Sequence, residues 1–492
     1  MRRILWMAAV GVLVLAMAAP AMALDFKFGG EYRVRFYAYD NSASQVNTFD
    51  HNNPNRNLRG IQLRVRPMFS VSDDNGNIQA VWRAEYGDTE WGNGGGAQGV
   101  DNGVNSTPGS ARVGNGAGGS LGADGVALET KWAYMDFATP WNVPLRWRVG
   151  IQPWYLPKGI IVDDDAIGVR AYGKSGIVSY EAAWFRISAG PNANPGTPPA
   201  GSAGRADSVG GVGISGTGLQ ATDNNFDMYQ LRADAAIAKW FNPGLYFLYG
   251  LNKAVANDPT PAQLYFIGLT ATGQAGIVSY DFDFLYGSAE GGPNGTVHDP
   301  GNGKFVKDNG WVVDAGVHFP IGPMVLNFVG SYATGDKQNG GSSEMMPYIS
   351  PSWNGASGMY EIIGSGGTFD VTDTQDYPAG TWMLGAGLEY RPVKSLWLRF
   401  AYGFVGFTSA HSNCAVPGTS GIACIGPSYN RLATGGVATT GGKNAPWLGN
   451  DFELRADYDV WTGFKVQGMV GYLVPFEGNA AAKYILQLLY SF

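Results

Sequence analysis

The chain has 492 residues, of which 73 are glycine, 13% aromatic and only 15% charged. So few charges would leave a water-soluble chain of this size poorly solvated. The formal net charge of −7 argues against a nucleic-acid partner.

Arg2 and Arg3 form a basic n-region, 4–19 is a short apolar run, and Ala21-Met22-Ala23 is an A-x-A cleavage site. This predicts a secretory signal peptide over 1–23 and a single exported domain over 24–492. Losing the two arginines leaves 31 basic against 40 acidic residues, a net charge of −9. No later apolar run reaches the roughly 18 residues of a membrane helix.

The exported chain opens with a strand. Phe26, Phe28, Gly30, Tyr32, Val34, Phe36 and Ala38 share one face, while Lys27, Glu31, Arg33 and Arg35 share the other. Alternation of period two over this length gives one oily and one polar face. The next run repeats it, with Ile61, Leu63, Val65 and Phe69 against Gln62, Arg64 and Arg66. Asp73-Asp74-Asn75-Gly76-Asn77 then reads as a tight turn.

Continued along the chain, the pattern predicts strands near 26–39, 58–71, 77–90, 126–139, 144–155, 166–174, 177–188, 226–239, 244–253, 262–273, 276–288, 308–320, 322–333, 378–392, 395–408, 447–460, 462–473 and 480–492. The predicted fold class is all-β, an antiparallel transmembrane β-barrel of 18 strands, with 16 as the alternative count. Connections alternate between short and long, the asymmetry of periplasmic turns and extracellular loops in outer-membrane barrels. Trp141, Trp240 and Trp461 beside short turns, and Trp154, Trp311 and Trp447 near loop ends, suit two interfacial girdles. Gly176-Ile177-Val178-Ser179-Tyr180 recurs as Gly276-Ile277-Val278-Ser279-Tyr280, each just after a short turn.

Cys414 and Cys424 lie in a Gly/Pro/Ser-rich loop of an exported chain. A single loop-stapling disulfide is expected, with two free thiols as the other reading. The final strand carries Tyr484, Leu486, Leu488, Tyr490 and Phe492 on one face, up to the terminal carboxylate. An exposed aromatic edge is an aggregation hazard in water but is solvated by lipid and paired in a closed barrel.

Catalysis is not expected. The four histidines are scattered, with His51, His298 and His411 in loops and His318 near a short turn, and none neighbours a candidate nucleophile. Gly114-Asn115-Gly116-Ala117-Gly118-Gly119 matches a dinucleotide-loop spacing but lacks the strand–helix context. No haem-attachment motif occurs, and no cofactor or metal is expected.

Four stretches carry a resemblance: Lys131-Trp132-Ala133-Tyr134-Met135-Asp136-Phe137; Arg148-Val149-Gly150-Ile151-Gln152-Pro153; Asp164-Asp165-Ala166-Ile167-Gly168-Val169-Arg170; and Tyr332-Ala333-Thr334-Gly335-Asp336. With them the chain resembles Gram-negative outer-membrane porins and, more narrowly, channels related to the alginate-export family. The resemblance implies an outer-membrane location, contact with membrane lipid and lipopolysaccharide, and a homotrimer. It also implies that Tyr490 and Phe492 form the signal read by barrel-assembly machinery.

Strand parity puts one set of charges on the lumen face, because cations facing lipid at the midplane cost about 2–4 kcal/mol each. The basic set is Arg33, Arg35, Arg64, Arg66, Arg83, Lys131, Arg146, Arg148, Arg399 and Arg455, with Lys465 and Lys483. The acidic set is Glu181, Asp234, Asp281, Asp283 and Asp314 on the predicted seventh to twelfth strands, with Arg232 an exception. A basic arc then faces an acidic arc across the pore. Either a transverse field crosses the lumen or the charges pair among themselves, as Glu31, Glu85 and Glu129 would allow. Asp163-Asp164-Asp165 is expected in the third outer loop, as solvated acid or as ligands for a hard cation such as Ca²⁺. That loop is short, so a constriction is expected from 91–125 or 189–225.

The function expected is a passive channel for small hydrophilic solutes and ions. An export channel for an anionic polysaccharide and a sheath around an electron-transfer partner are the alternatives.

Overall fold

The computed structural model describes residues 24–40, 58–91, 128–141, 143–188, 208–209, 212–213, 226–252, 262–290, 307–335, 342–344, 346–353, 355–356, 380–408, 447–475 and 480–492. The expected signal peptide, the two cysteines and most of the long connections lie outside them.

Eighteen long strands form one closed antiparallel barrel. Numbered in chain order they are β1 (Leu24–Asp40), β2 (Leu58–Asp73), β3 (Ile78–Glu90), β4 (Leu128–Ala138), β5 (Leu145–Tyr155), β6 (Asp163–Ser175), β7 (Val178–Ser188), β8 (Phe226–Ala235), β9 (Asn242–Asn252), β10 (Ala262–Ala275), β11 (Val278–Glu290), β12 (Lys307–Ile321), β13 (Met324–Ala333), β14 (Thr381–Val393), β15 (Leu396–Phe407), β16 (Trp447–Trp461), β17 (Phe464–Pro475) and β18 (Ala481–Ser491). Each pairs with its sequence neighbour, and β18 pairs with β1 to close the ring. The count of 18 displaces the alternative of 16.

Alternation decides the faces. Phe26, Phe28, Tyr32, Phe36, Leu231, Phe247, Phe328, Leu384 and Leu486 are exposed on the outer surface. The opposite parity, with Arg33, Gln62, Asp283, Asp314, Asn327, Arg399 and Glu453, is buried within. An apolar band around a closed ladder is the arrangement that lets strands cross a bilayer with no unpaired edge. Trp141, Trp240 and Trp461 stand exposed at short turns, and Trp311 is exposed toward the other rim. Trp154 departs from the expected girdle. It shares inward parity with Gln152, is buried, and stacks on Phe185 with ring centroids 4.5 Å apart.

The recurring pentapeptide has one physical job in both places. Gly176 and Gly276 take positive φ at the turn, at 56° and 63°. Tyr180 and Tyr280 then donate their hydroxyls to the carbonyls of Pro144 (2.7 Å) and Trp240 (2.9 Å), each on a neighbouring hairpin. The two tyrosines tie adjacent turns of the same rim together.

The chain end is clasped on both sides. The Gly30 N–H donates to the Phe492 carbonyl (2.8 Å), Phe492 N–H returns to Gly30 (3.1 Å), and Ser491 N–H donates to Gly463 (2.7 Å). The Phe492 ring packs on Phe28 at 5.4 Å and Tyr490 at 5.6 Å. A Cβ at Gly30 would come within 2.7 Å of the Arg66 carbonyl and 2.9 Å of the Phe492 ring. Gly30→Val is therefore expected to spoil the β1–β18 seam. On a gel, the compact heat-modifiable band should disappear at a lower temperature than for the native chain. An unchanged transition temperature would show that the seam tolerates the side chain.

Candidate functional site: a lumen divided by two inward loops

The third outer loop, 156–162, turns into the barrel. Pro157 holds Leu156 extended (φ −110°, ψ 159°). The backbone then reverses through two left-handed residues, Lys158 (φ 56°) and Gly159 (φ 65°). Leu156, Ile160, Ile161 and Val162 are completely buried against apolar side chains of the wall, among them Phe185, Met228, Leu248, Phe266, Leu285 and Val312. Burial of each such side chain is worth roughly 1.5–3 kcal/mol.

A segment of the seventh outer loop, 346–353, lies alongside. Val162 bridges Ser350 in parallel, and Ile349 and Ser350 N–H groups both donate to the Ile161 carbonyl, at 3.0 and 3.1 Å. Met346, Ile349 and Trp353 join the same apolar cluster. A small hydrophobic core thus sits inside the barrel, on the wall formed by β7 to β13. The short third loop, from which no constriction was expected, does turn into the barrel and dock on its wall. Its apolar sequence, Ile160-Ile161-Val162, matters more than its length, because inward docking is the only way to remove those side chains from water. The connections 91–125 and 189–225 lie almost wholly outside the described residues.

One buried carboxylate touches both loops. Asp314 accepts from the Lys158 ammonium at 2.5 Å and from the Trp353 indole at 3.1 Å. Lys158 also meets Asp281 at 2.5 Å and Asp283 at 2.9 Å, so three donors face three carboxylates. His318 contacts the far side of Asp281 at 2.6 Å and Asn327 at 2.6 Å. Burial works against the Lys158 charge, but the adjacent Asp314, Asp283 and Asp281 outweigh it and hold its pKa well above the ordinary lysine value.

The other predicted acidic residues are engaged as well. Glu181 lies 3.4 Å from Arg170 and accepts from Gln230 at 2.5 Å. Asp234 holds Arg232 at 2.8 Å. The five carboxylates of the acidic arc are therefore offset in part by three cations, Lys158 and Arg170, which the parity argument did not include, and Arg232. Asp163, Asp164 and Asp165 are not in the loop. They begin β6, opposite Tyr155, Trp154 and Pro153 of β5. Asp165 accepts from the Trp132 indole at 2.6 Å and Asp164 from Ser350 at 2.7 Å. The turn that sends the loop inward ends at 162, which starts the strand earlier than the composition suggested.

The predicted basic residues lie on the remaining arc, on β1 to β5 and β15 to β18. Arg64 is 3.8 Å from Glu31, Arg66 bonds Glu85, and Lys131 is 3.0 Å from Glu129. Arg146 and Arg148 share Asp136, at 2.8 and 2.9 Å, and Tyr172 donates to the same carboxylate at 2.5 Å. Arg399 lies 3.8 Å from Glu453, Arg455 is 2.9 Å from Asp457, and Arg35 donates to Gln487 at 3.0 Å. Arg33 and Lys483 are buried on the same face. Aromatic faces support several guanidinium groups: Arg83 over Trp132 (4.5 Å), Arg148 over Tyr134 (4.6 Å), and Arg399 and Arg455 over Trp397 (5.6 and 5.4 Å). Such stacking holds a cation without neutralising it. Among the described residues Arg83 has no carboxylate at ion-pair distance.

Access differs between particular residues of the two arcs. The side chains of Asp314 and Asp283 are 0% and 4% exposed, whereas those of Arg66 and Arg146 are 23% and 34% exposed. Within each arc the cover is uneven: Asp234 is 39% exposed, whereas Arg399 is 8% exposed and Arg33 and Lys483 are buried.

Asp136, Arg170, Lys158 and Trp353 were absent from the parity-based set. Arg170 lies in phase with Tyr172 and could have been found by extending the alternation through β6. Asp136 is out of phase with Lys131 because β4 carries an extra residue there. Arg83 pairs with Trp132 and Ala84 with Thr130, so Lys131 is bulged and parity flips across it. Lys158 and Trp353 are loop residues with no local pattern to mark them.

Among solved structures, OpdQ of Pseudomonas aeruginosa is similar at 11% identity and a TM-score of 0.51, over 95% of this chain and 98% of that one. The fold is the same. The outer membrane protein OpdK of Pseudomonas aeruginosa gives 9% identity and a TM-score of 0.49, and OccAB4 of Acinetobacter baumannii gives 9% and 0.48, each over 95% of this chain and 98% of the other. No protein-family model matches the chain, and no curated protein matches it in sequence. The narrower likeness to alginate-export-related channels thus rests on four short motifs alone.

Proposed function

We propose that this protein is an outer-membrane channel for passive diffusion of small hydrophilic solutes and ions, with a preference for anions. The observation that carries the reading is the unequal covering of the lumen. Two inward loops cover Asp283 and Asp314, while Arg66, Arg146 and Arg455 across the lumen keep 23%, 34% and 27% of their side chains open. Rings or tracks of one charge set ion preference in a narrow pore. No reaction is catalysed in this reading, and the signal peptide, lipopolysaccharide contact and trimeric assembly proposed from the sequence are consistent with it. Phe492, clasped at the seam, is proposed as the residue that the assembly machinery reads.

Reconstitution in a planar bilayer tests the proposal. Discrete conductance steps are expected, with a reversal potential in a KCl gradient that reports chloride moving more easily than potassium. A silent bilayer, from protein that shows the compact band on a gel, would end the reading.

The stacked guanidinium groups along the basic arc favour one second reading, a track for an anionic polysaccharide. In that case a polyuronate should block the current in a salt-dependent way and neutral sugars should not. A sheath around another protein is less favoured, because the inward loops fill part of the lumen such a partner would need.

A further inference from the structure

We infer that Lys158 is a charge-selectivity determinant of this channel, a counter-ion carried on the third outer loop to mask the carboxylates of Asp281, Asp283 and Asp314. The inference rests on the channel reading above and adds a residue that neither strand parity nor the basic arc contains.

The geometry is that of a built site. Carboxylate oxygens of Asp281, Asp283 and Asp314 converge to within 4.8 Å of one another. Asp283 and Asp314 are directly opposite on β11 and β12, an adjacency of like charges that a sheet disfavours unless a cation intervenes. The Lys158 ammonium is that cation, at 2.5, 2.9 and 2.5 Å from Asp281, Asp283 and Asp314. The backbone is bent to deliver it. Lys158 and Trp141 are the two non-glycine residues with positive φ among the described residues, and a left-handed lysine is disfavoured by its own Cβ. Gly159 follows at φ 65°, where a Cβ would come within 2.9 Å of the Ser352 carbonyl.

Lys158 does not have to hold the loop down. Leu156, Ile160, Ile161 and Val162 are all fully buried, and backbone hydrogen bonds join the loop to 349–352. The ammonium can therefore be exchanged while the loop stays docked, and its consequence is electrical. His318 faces the same group through Asp281, Trp353 through Asp314, and Glu389 lies beyond Asn327. Of these, Glu389 adds negative charge and His318 adds positive charge only when protonated. Loss of the ammonium would leave three carboxylates without that counter-charge, two of them buried and Asp281 part-exposed, and their field would draw cations to a pore that otherwise favours anions.

Reversal potentials of single charge changes test this directly. Lys158→Gln should lower the anion-to-cation permeability ratio by about twofold in 0.1 M salt, and by more at lower ionic strength. Asp283→Asn should move the ratio the opposite way, because it removes one of the three carboxylates that outnumber the single ammonium. The double variant Lys158→Gln/Asp283→Asn restores the native charge and should restore the native ratio. A structural peg would predict altered conductance or thermal stability in all three, with no ordered sign in the ratio. Native selectivity in both single variants, or shifts of the same sign, would overturn the assignment to Lys158 and leave the channel reading standing. Absence of conductance in the native protein would overturn both. Should Lys158→Gln fail to give the compact band, the Asp283→Asn shift toward anions decides alone.

Discussion

Replacing Ile160 and Ile161 together by aspartate is expected to release the third outer loop and raise single-channel conductance. Both side chains are fully buried in the apolar cluster inside the barrel. Their transfer from water contributes about 3–6 kcal/mol together. A carboxylate forced into the same space adds a larger desolvation cost, since the surrounding Leu248, Phe266 and Val312 offer it no hydrogen bond. The docked state cannot absorb both losses, so the loop should leave the wall for water. The barrel itself should persist, because the strands and their outer apolar band do not depend on these residues. Ile160→Val with Ile161→Val serves as the control. At about 0.5–1.5 kcal/mol each, those changes should leave the loop in place and the conductance close to native. Unchanged conductance in the double aspartate variant, from protein with a normal compact band, would mean that the loop does not obstruct the pathway.

The second large effect concerns the basic arc. Neutralising Arg64, Arg66 and Arg83 to glutamine should shift the reversal potential toward cations. At about 10 Å in water a unit charge is worth ~0.4 kcal/mol, cut to ~0.15 kcal/mol by 0.1 M salt. Three such charges act with opposite sign on anion and cation, so the permeability ratio should change by ~0.9 kcal/mol, or about fivefold. In 10 mM salt the screening is weaker and the change should reach about twentyfold. Arg83 should dominate the series. It rests on the Trp132 ring rather than on a carboxylate, so its charge is the least compensated of the three. Arg66 is bonded to the buried Glu85, so its share of the shift appears as the unmatched charge of that acid. A ratio that stays at the native value at both salt concentrations would remove the basic arc from the permeation pathway.

Together with the opposing shifts expected at Lys158 and Asp283, these measurements separate two questions. The isoleucine pair asks whether the inward loops narrow the pathway. The charge variants ask which wall the ions pass.

Much of the architecture was legible in the sequence. The period-two alternation of β1, with Phe26, Phe28 and Tyr32 against Arg33 and Arg35, recurs along the barrel with interruptions such as the bulge in β4, and each repetition is a local physical signal. A strand has only two faces, and lipid and water sort them without help from distant residues. The seam could be anticipated from Tyr490 and Phe492 for the same reason, although the socket at Gly30 appears only when β1 and β18 are placed side by side.

The site was legible only in part. Single residues on strands were placed by parity, but their partners were not. Asp136 escaped because one bulged residue, Lys131, reverses the phase of β4. Asp163 to Asp165 read as loop acid because three consecutive aspartates resemble a turn, whereas pairing with β5 draws them into β6.

What the sequence by itself determined is therefore the barrel: its outer apolar face, its short and long rims, and which charges could not face lipid, with closure at 18 strands rather than 16 left to the structure. What the tertiary structure decided is how those charges are balanced. Lys158 meets Asp314 across 156 residues of chain, and Trp353 reaches it from another loop. Such encounters are set by where apolar loop residues find cover inside the barrel, and no periodicity in the chain encodes that destination.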